Sequence, residues 1–348
     1  MTIQIITWEL SGVRHFGKMN KRINTLESLR FFMVLTIALS HLDLFAFGQS
    51  PFFAKTFHNS DLGVHFFFIL SGFGLACKHI NTGKFAIEDR WSLVKGFKYA
   101  FSKVKGIYVP YLVSMAVCVP LVFYQSFVAD GLMGAVVKTA VKLVIAPTLL
   151  QSLVGHIMFT NIFNGVCWFL STLFILYIFY PLLEKLIDKI CKDRKTVIVS
   201  IIATFICIIL SKLLLGKLDV ILGSGFYLNY VSPLYRVFFL ILGIELAYLR
   251  KYSQKCGIVA QNGNLWEYIC VAFILSVYLF TGYTSGGFRQ VAYYLNVIVA
   301  AMSVYIFAFE SGKISAILNN ATLVKLGKNA FLIFLFHYPV LMYLSILF

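Results

Sequence analysis

Arg30 and His41 are the first side chains in this sequence that can do chemistry together. They stand in Leu29-Arg30-Phe31-Phe32 and Leu39-Ser40-His41-Leu42, eleven positions apart. On a helix that spacing returns to nearly the same face after a rise of about 16 Å. A guanidinium at one end can fork onto a phosphate or carboxylate. A neutral imidazole further along can take a proton from a hydroxyl or carry an acyl group itself. The plainer account is an interfacial anchor followed by a core histidine whose hydrogen bond is met. Spacing alone does not choose between them.

The other polar side chains inside apolar runs are few. His65 and Ser71 lie in Gly63-Val64-His65-Phe66-Phe67-Phe68-Ile69-Leu70-Ser71-Gly72-Phe73. Ser71-Gly72 is a small pair that lets a second helix approach, and packing is the first account of both residues. His65 falls near the outer end of its run. Lys103 and Lys105 precede Ile107-Tyr108-Val109-Pro110-Tyr111, where a proline in the first turn of a helix costs little. Trp168 opens Trp168-Phe169-Leu170, which an aromatic belt would explain. Arg236 shares a run with Gly243 and Glu245, and both signs of charge there point to a polar cavity rather than lipid. His337 lies in Leu335-Phe336-His337-Tyr338-Pro339. Pro339 removes a backbone donor and frees a carbonyl for some nearby polar group.

The elements that must position these residues are apolar helices. The 348 residues are 60% hydrophobic and only 13% charged, against about 25% charged in soluble domains. A spanning helix needs about 20 mostly apolar residues. Nine segments qualify, roughly 29–47, 62–79, 107–128, 166–187, 196–215, 232–249, 265–282, 291–309 and 329–348. The stretch 129–165 is apolar in its middle but carries Lys138, Lys142, Pro147 and His156, which fits a short span, a re-entrant segment or an interfacial helix. The expected fold is therefore all-α, a polytopic membrane helix bundle of about nine to ten transmembrane helices.

Charge supplies the orientation. The net charge is +16, and its basic residues gather between the apolar runs. Segments 78–105 and 188–195, the residues after 249 and those before 329 are the loaded loops. All four fall inside if the N-terminus is cytoplasmic and 129–165 makes no net crossing. This is the pattern of a multi-pass protein of the cytoplasmic (inner) membrane, not of a nucleic-acid binder. The seven cysteines form no CxxC and no metal spacing, so no metal site is expected. Residues 1–26 lack the apolar core of a signal peptide. They are taken as an N-terminal cytoplasmic segment, with 1–18 dispensable, ahead of a membrane domain at 27–348.

Taken together, these motifs resemble the acyltransferase-3 family. Its marks are Arg and His with ten residues between them in the first span and Gly-Val-x-x-Phe-Phe-x-x-Ser-Gly-Phe in the second. Ile-Tyr-x-Pro-Tyr, Trp-Phe-Leu, Arg-x-x-x-Phe-x-x-Gly (here with Leu240 at the Phe position) and Leu-x-His-x-Pro follow in that order. The resemblance runs from about Asn20 to the C-terminus. It implies a polytopic bacterial enzyme that moves an acyl group, usually acetyl, from acyl-CoA onto a hydroxyl of a surface glycan or lipid-linked saccharide. Three departures stand out. His65 replaces a usual Asp. Lys103 and Gly106 replace a usual Arg-x-x-Arg, with Lys105 a substitute for the second arginine. A helix that often follows His-x-Pro is missing, which leaves a short form or a truncated one.

The resemblance assigns roles that the residue chemistry permits. His41 is the expected base or acyl carrier. Arg30, Lys103 and Lys105 would meet the phosphates of acetyl-CoA or another acyl-CoA. Trp168 and Arg236 would contact the glycan, and Ser71 or His337 would help position the carbonyl. The alternative class is a secondary transporter of a small polar or lipid-linked solute, for which Glu245 and Asp43 are the candidate coupling carboxylates.

Overall fold

The computed structural model describes residues 23–44, 50–57, 59–256 and 262–347. Segment 1–18, expected to be dispensable, lies outside them. In chain order the helices are α1 (Asn24–Ser40), α2 (Pro51–Phe57), α3 (Asp61–Thr82), α4 (Leu93–Ile145), α5 (Ile157–Thr160), α6 (Trp168–Ile190) and α7 (Arg194–Leu222). Then come α8 (Leu228–Val231), α9 (Pro233–Cys256), α10 (Gly263–Tyr283), α11 (Gly287–Phe307), α12 (Lys313–Leu318), α13 (Ala321–Lys328) and α14 (Ala330–Leu347). No strand forms among the described residues; one isolated bridge joins His156 and Phe226. Among the described residues eight helices are long and apolar enough to cross a membrane, and α13 with α14, bent by 60°, can form a ninth. They coincide with the nine apolar runs of the sequence. The chain is an all-α polytopic bundle.

Two element ends differ from expectation, each for a local reason. The first span was expected to reach 47, but α1 ends at Ser40 and tightens into a 3-10 turn at His41–Leu44. Here side chains compete for the last carbonyls. Thr36 donates to Met33 O at 2.8 Å, Ser40 to Ile37 O at 2.7 Å and His41 Nδ1 to the same Ile37 O at 2.8 Å. At the other difference, α4 starts at Leu93 rather than near 107, capped by Ser92, whose hydroxyl accepts the Lys95 amide at 3.3 Å. Lysines stop a hydropathy run but not a helix. Pro110 consequently lies inside the helix and not in its first turn.

Segment 129–165 folds back. Gly131 takes φ 72°, a backbone that an L side chain rarely adopts, and α4 reverses there. The returning arm brings the Pro147 carbonyl to the Tyr108 hydroxyl at 2.8 Å and the Ala146 carbonyl to Tyr111 at 2.7 Å. Residues more than 30 positions apart meet only if the second arm runs back beside the first. The Asp130–Lys138 pair at 2.6 Å ties the bend. Helix α6 then starts beside the middle of α4, with Cys167 Sγ 3.8 Å from Ser114 Oγ, and descends antiparallel to it. The segment makes no net crossing.

Lipid tails are as apolar as leucine, so close packing and hydrogen bonds must hold such helices together. The tightest approach is α3 on α9. A Cβ on Gly72 would meet the Leu240 carbonyl, and one on Gly243 the Ile69 carbonyl. Polar side chains fasten the end of the bundle that carries Asn24, here termed the N-terminal face. Thr25 donates to Phe307 O at 2.6 Å, Tyr248 to Asp188 at 2.8 Å, and buried Glu267 accepts the Gly312 amide at 2.8 Å and the Ser315 amide and hydroxyl.

This packing predicts a contrast between two glycines. Overpacking costs about 1–3 kcal/mol. Gly243→Ala should therefore melt several degrees lower in detergent, while Gly74→Ala, whose Cβ meets nothing within 4 Å, should melt like the parent. Thermal unfolding of the purified variants measures this. Equal melting of all three would refute the close approach.

Candidate active site

Pro339 organises the site. It has no amide hydrogen to give the Leu335 carbonyl one turn earlier, and Asn164 Nδ2 donates there instead at 2.8 Å. Asn164 is buried, and its amide also reaches Ser114 Oγ at 3.3 Å. The loop before α6 is thereby fastened to α14. Tyr338 packs against Gly165 on one side and edge-on against His41 on the other, with ring centroids 5.3 Å apart. The sequence indicated a freed carbonyl near Pro339; nothing in it identified Asn164 as the donor.

His41 and His337 meet at this point. His337 Nε2 lies 3.3 Å from His41 Nδ1, with ring centroids 5.2 Å apart. Their backbone contacts assign the protons. A carbonyl oxygen only accepts, so His337 Nδ1 donates to Ile333 O at 3.1 Å and His41 Nδ1 donates to Ile37 O at 2.8 Å. His337 Nε2 then holds a lone pair facing the His41 Nδ1 proton, and His41 Nε2 is the basic nitrogen of the pair. A proton or acyl group taken at Nε2 leaves an imidazolium whose Nδ1–H is shared by a carbonyl and a second imidazole. That is the arrangement of an oriented base. His41 was expected deep within a continuous helix; it stands instead in the 3-10 turn that ends α1, half-buried.

Arg30 lies at the opposite end of α1. It pairs with Glu27 at 2.7 Å, and its side chain is 26% exposed. Its charge acts on Tyr177, whose hydroxyl lies near Ser71. Ser71 itself donates to the Phe67 carbonyl at 2.7 Å. Ser71 is therefore grouped with Arg30 and not with the two histidines. The two lysines separate. Half-buried Lys103 lies over the Tyr99 ring at 4.6 Å, while Lys105 is exposed. Residues two apart on a helix differ by about 200° and do not share a face.

Trp168 and Arg236 do come together, and His65 joins them. The guanidinium carbon lies 5.7 Å from the Trp168 ring and 4.6 Å from Tyr230, and Arg236 Nη1 is 3.3 Å from His65 Nδ1. His65, expected near an interface, is fully buried. A contact 171 positions apart leaves no local signal. The aromatic wall Phe68, Phe169 and Phe334 runs from this cluster to His337. Among the described residues no group of three His, Cys, Asp or Glu side chains could hold a metal ion.

Two comparisons return nothing: neither a curated protein nor a solved structure matches the chain. A family model does match. The acyltransferase-3 model, described as an acyltransferase domain, covers residues 23–348. That range holds every helix described above and both histidines, so the chain belongs to the acyltransferase-3 family and is a multi-pass membrane acyltransferase.

Proposed function

We propose that the protein moves an acyl group, acetyl by default, from cytosolic acyl-CoA to a hydroxyl of a cell-surface or lipid-linked glycan, with His41 as its base. The observation that carries this reading is the His41–His337 pair and its proton assignment. As the acceptor oxygen attacks the thioester carbonyl, its proton passes to His41 Nε2. The tetrahedral intermediate then expels the CoA sulfur, the C–S bond breaks, and the sulfur takes that proton back. Direct attack by Nε2, through an acyl-imidazole, uses the same geometry. In both routes His337 Nε2 accepts the Nδ1–H of charged His41, which makes His337 a positioning residue.

The donor side is the N-terminal face. Basic residues gather there, and the positive-inside bias makes that face cytosolic in the inner membrane. Arg30 and Lys103 are the cations proposed to meet the phosphates, with Lys105 an outlying contributor. Arg30 spends one donor on Glu27 and keeps others in its fork. Trp168 and Arg236, toward the opposite face, are proposed as acceptor contacts. Of the two carboxylates of the transporter reading, Asp43 is exposed in the turn that ends α1, and Glu245 Oε1 already accepts Ser200 at 2.5 Å and Thr204 at 2.9 Å.

His41→Ala should insert normally and lose transfer by at least about 100-fold, the lower range for a lost general base. His337→Ala should lose less. Glycan acylation in a null strain, with protein level checked in membranes, reads both; near-normal transfer by His41→Gln would move the catalytic centre elsewhere.

Arg30→Ala should raise the KM for acyl-CoA roughly tenfold, the worth of one charged hydrogen bond, with the acceptor KM little changed. Arg30→Lys should recover part of the loss. Kinetics with both substrates varied would show it, and an unchanged donor KM removes the role.

A cysteine placed at exposed Lys84 should resist an impermeant thiol reagent in intact cells and react after permeabilisation. Labelling in intact cells reverses the orientation and removes the donor side with it.

A further inference from the structure

Two buried donors in the Arg236 cage have nothing to give to. Arg236 Nη1 lies 3.3 Å from His65 Nδ1. A guanidinium only donates and keeps its protons at any ordinary pH, so His65 Nδ1 accepts and the imidazole proton sits on Nε2. That Nε2 is buried without a partner, and so is Arg236 Nη2. Both side chains belong to residues at 0% exposure. An unmet donor in such a setting costs about 1–3 kcal/mol, and a charged one more. The cage therefore lacks an acceptor.

Charge points the same way. The rings of Tyr230 and Phe239, at 4.6 and 5.0 Å from the guanidinium carbon, attract the cation without neutralising it. Arg236 Nε donates to the Tyr230 carbonyl at 2.6 Å, which is likewise neutral. A second cation, Lys212, lies 3.8 Å over the Tyr293 ring. Two carboxylates act here: Asp61 on Arg236, Lys212 and Arg289, and Asp219 on Lys212. Among the described residues none of the ion pairs within 4.0 Å includes Arg236 or Lys212. The Arg236 guanidinium is thus buried with no carboxylate among the described residues in direct contact.

We infer that the cage is an anion subsite, in which Arg236 Nη2 and His65 Nε2 take a carboxylate or phosphate oxygen of an acidic saccharide acceptor. The inference rests on the glycan reading above and narrows it. A neutral sugar could fill the two donors with hydroxyl oxygens but would leave the guanidinium without an anion in direct contact. An acidic saccharide satisfies both demands at once, and Trp168, beside the guanidinium, offers its sugar a stacking face. Tyr230 closes the cage and belongs to α8, a single turn of helix, which is the segment that must yield for entry.

The test is binding without any acyl donor. Purified protein in neutral detergent is melted at constant ionic strength with glucuronate, inorganic phosphate or glucose, and separately in nanodiscs of neutral or anionic lipid. Glucuronate and phosphate should each raise the melting temperature by a few degrees, and glucose should not. His65→Asp, which gives Arg236 a fixed counter-charge, should abolish the shift, while His65→Gln, neutral like the parent, should retain it. These two variants keep the test valid if Arg236→Gln fails to fold. The inference falls if no anion shifts the melt, if glucose acts as strongly as glucuronate, or if the shift survives His65→Asp. It also falls if anionic lipid alone stabilises, since the anion is then a head group. Because no acyl donor is present, failure here leaves the transferase reading standing, and loss of acyl transfer leaves anion binding standing.

Discussion

A proline in a membrane helix deletes a backbone donor, and lipid cannot replace it. In this protein the carbonyl orphaned by Pro339 belongs to Leu335, and Asn164 satisfies it. Much of the site follows from that bond. It fastens the loop before α6 to α14, sets Gly165 against Tyr338 and holds His337 on the face that meets His41. His41 is fixed in the same way from its own side. The hydroxyls of Thr36 and Ser40 take carbonyls in the last two turns of α1, and the helix tightens just where the imidazole must turn inward. The two histidines are thus placed by the need to satisfy backbone, and the same carbonyls that orient the rings assign their protons.

The charged groups obey a second rule. An isolated ionised side chain on a spanning helix costs about 2.5–3.5 kcal/mol even on the mildest scale. Arg30 meets that cost with Glu27 at the rim, and Glu245 meets it in part, with two hydroxyls on Oε1. Arg236 is met least directly. It is wrapped in aromatic rings, paired with a neutral imidazole and left with an unused donor. Its aromatic wall continues to His337, so the two clusters share one packed core instead of forming separate pockets.

Much of this was legible in the sequence, and the boundary of legibility is physical. Nine apolar runs of spanning length correspond to the helices of the bundle, because length and hydropathy are local properties. Gly72 announced a close approach, and Pro339 a freed carbonyl. Long-range pairings were not legible. His41 and His337 are 296 positions apart and His65 and Arg236 are 171 apart, and neither pair has a periodic signature. Hydropathy also misplaced both the start of α4 and the end of α1. In the first case lysines extend a helix beyond its apolar run; in the second, serine and threonine shorten one within it.

The central claim is that His41 and His337 act as one unit, with one imidazole holding the other in place. A double-mutant cycle on acyl transfer tests it most directly. Transfer rates are compared for the parent, His41→Gln, His337→Asn and the double variant, at matched protein levels. If His337 works only through His41, its removal costs nothing further once His41 is gone, and the double variant matches His41→Gln. If the two losses multiply, the histidines act independently and the paired site is refuted.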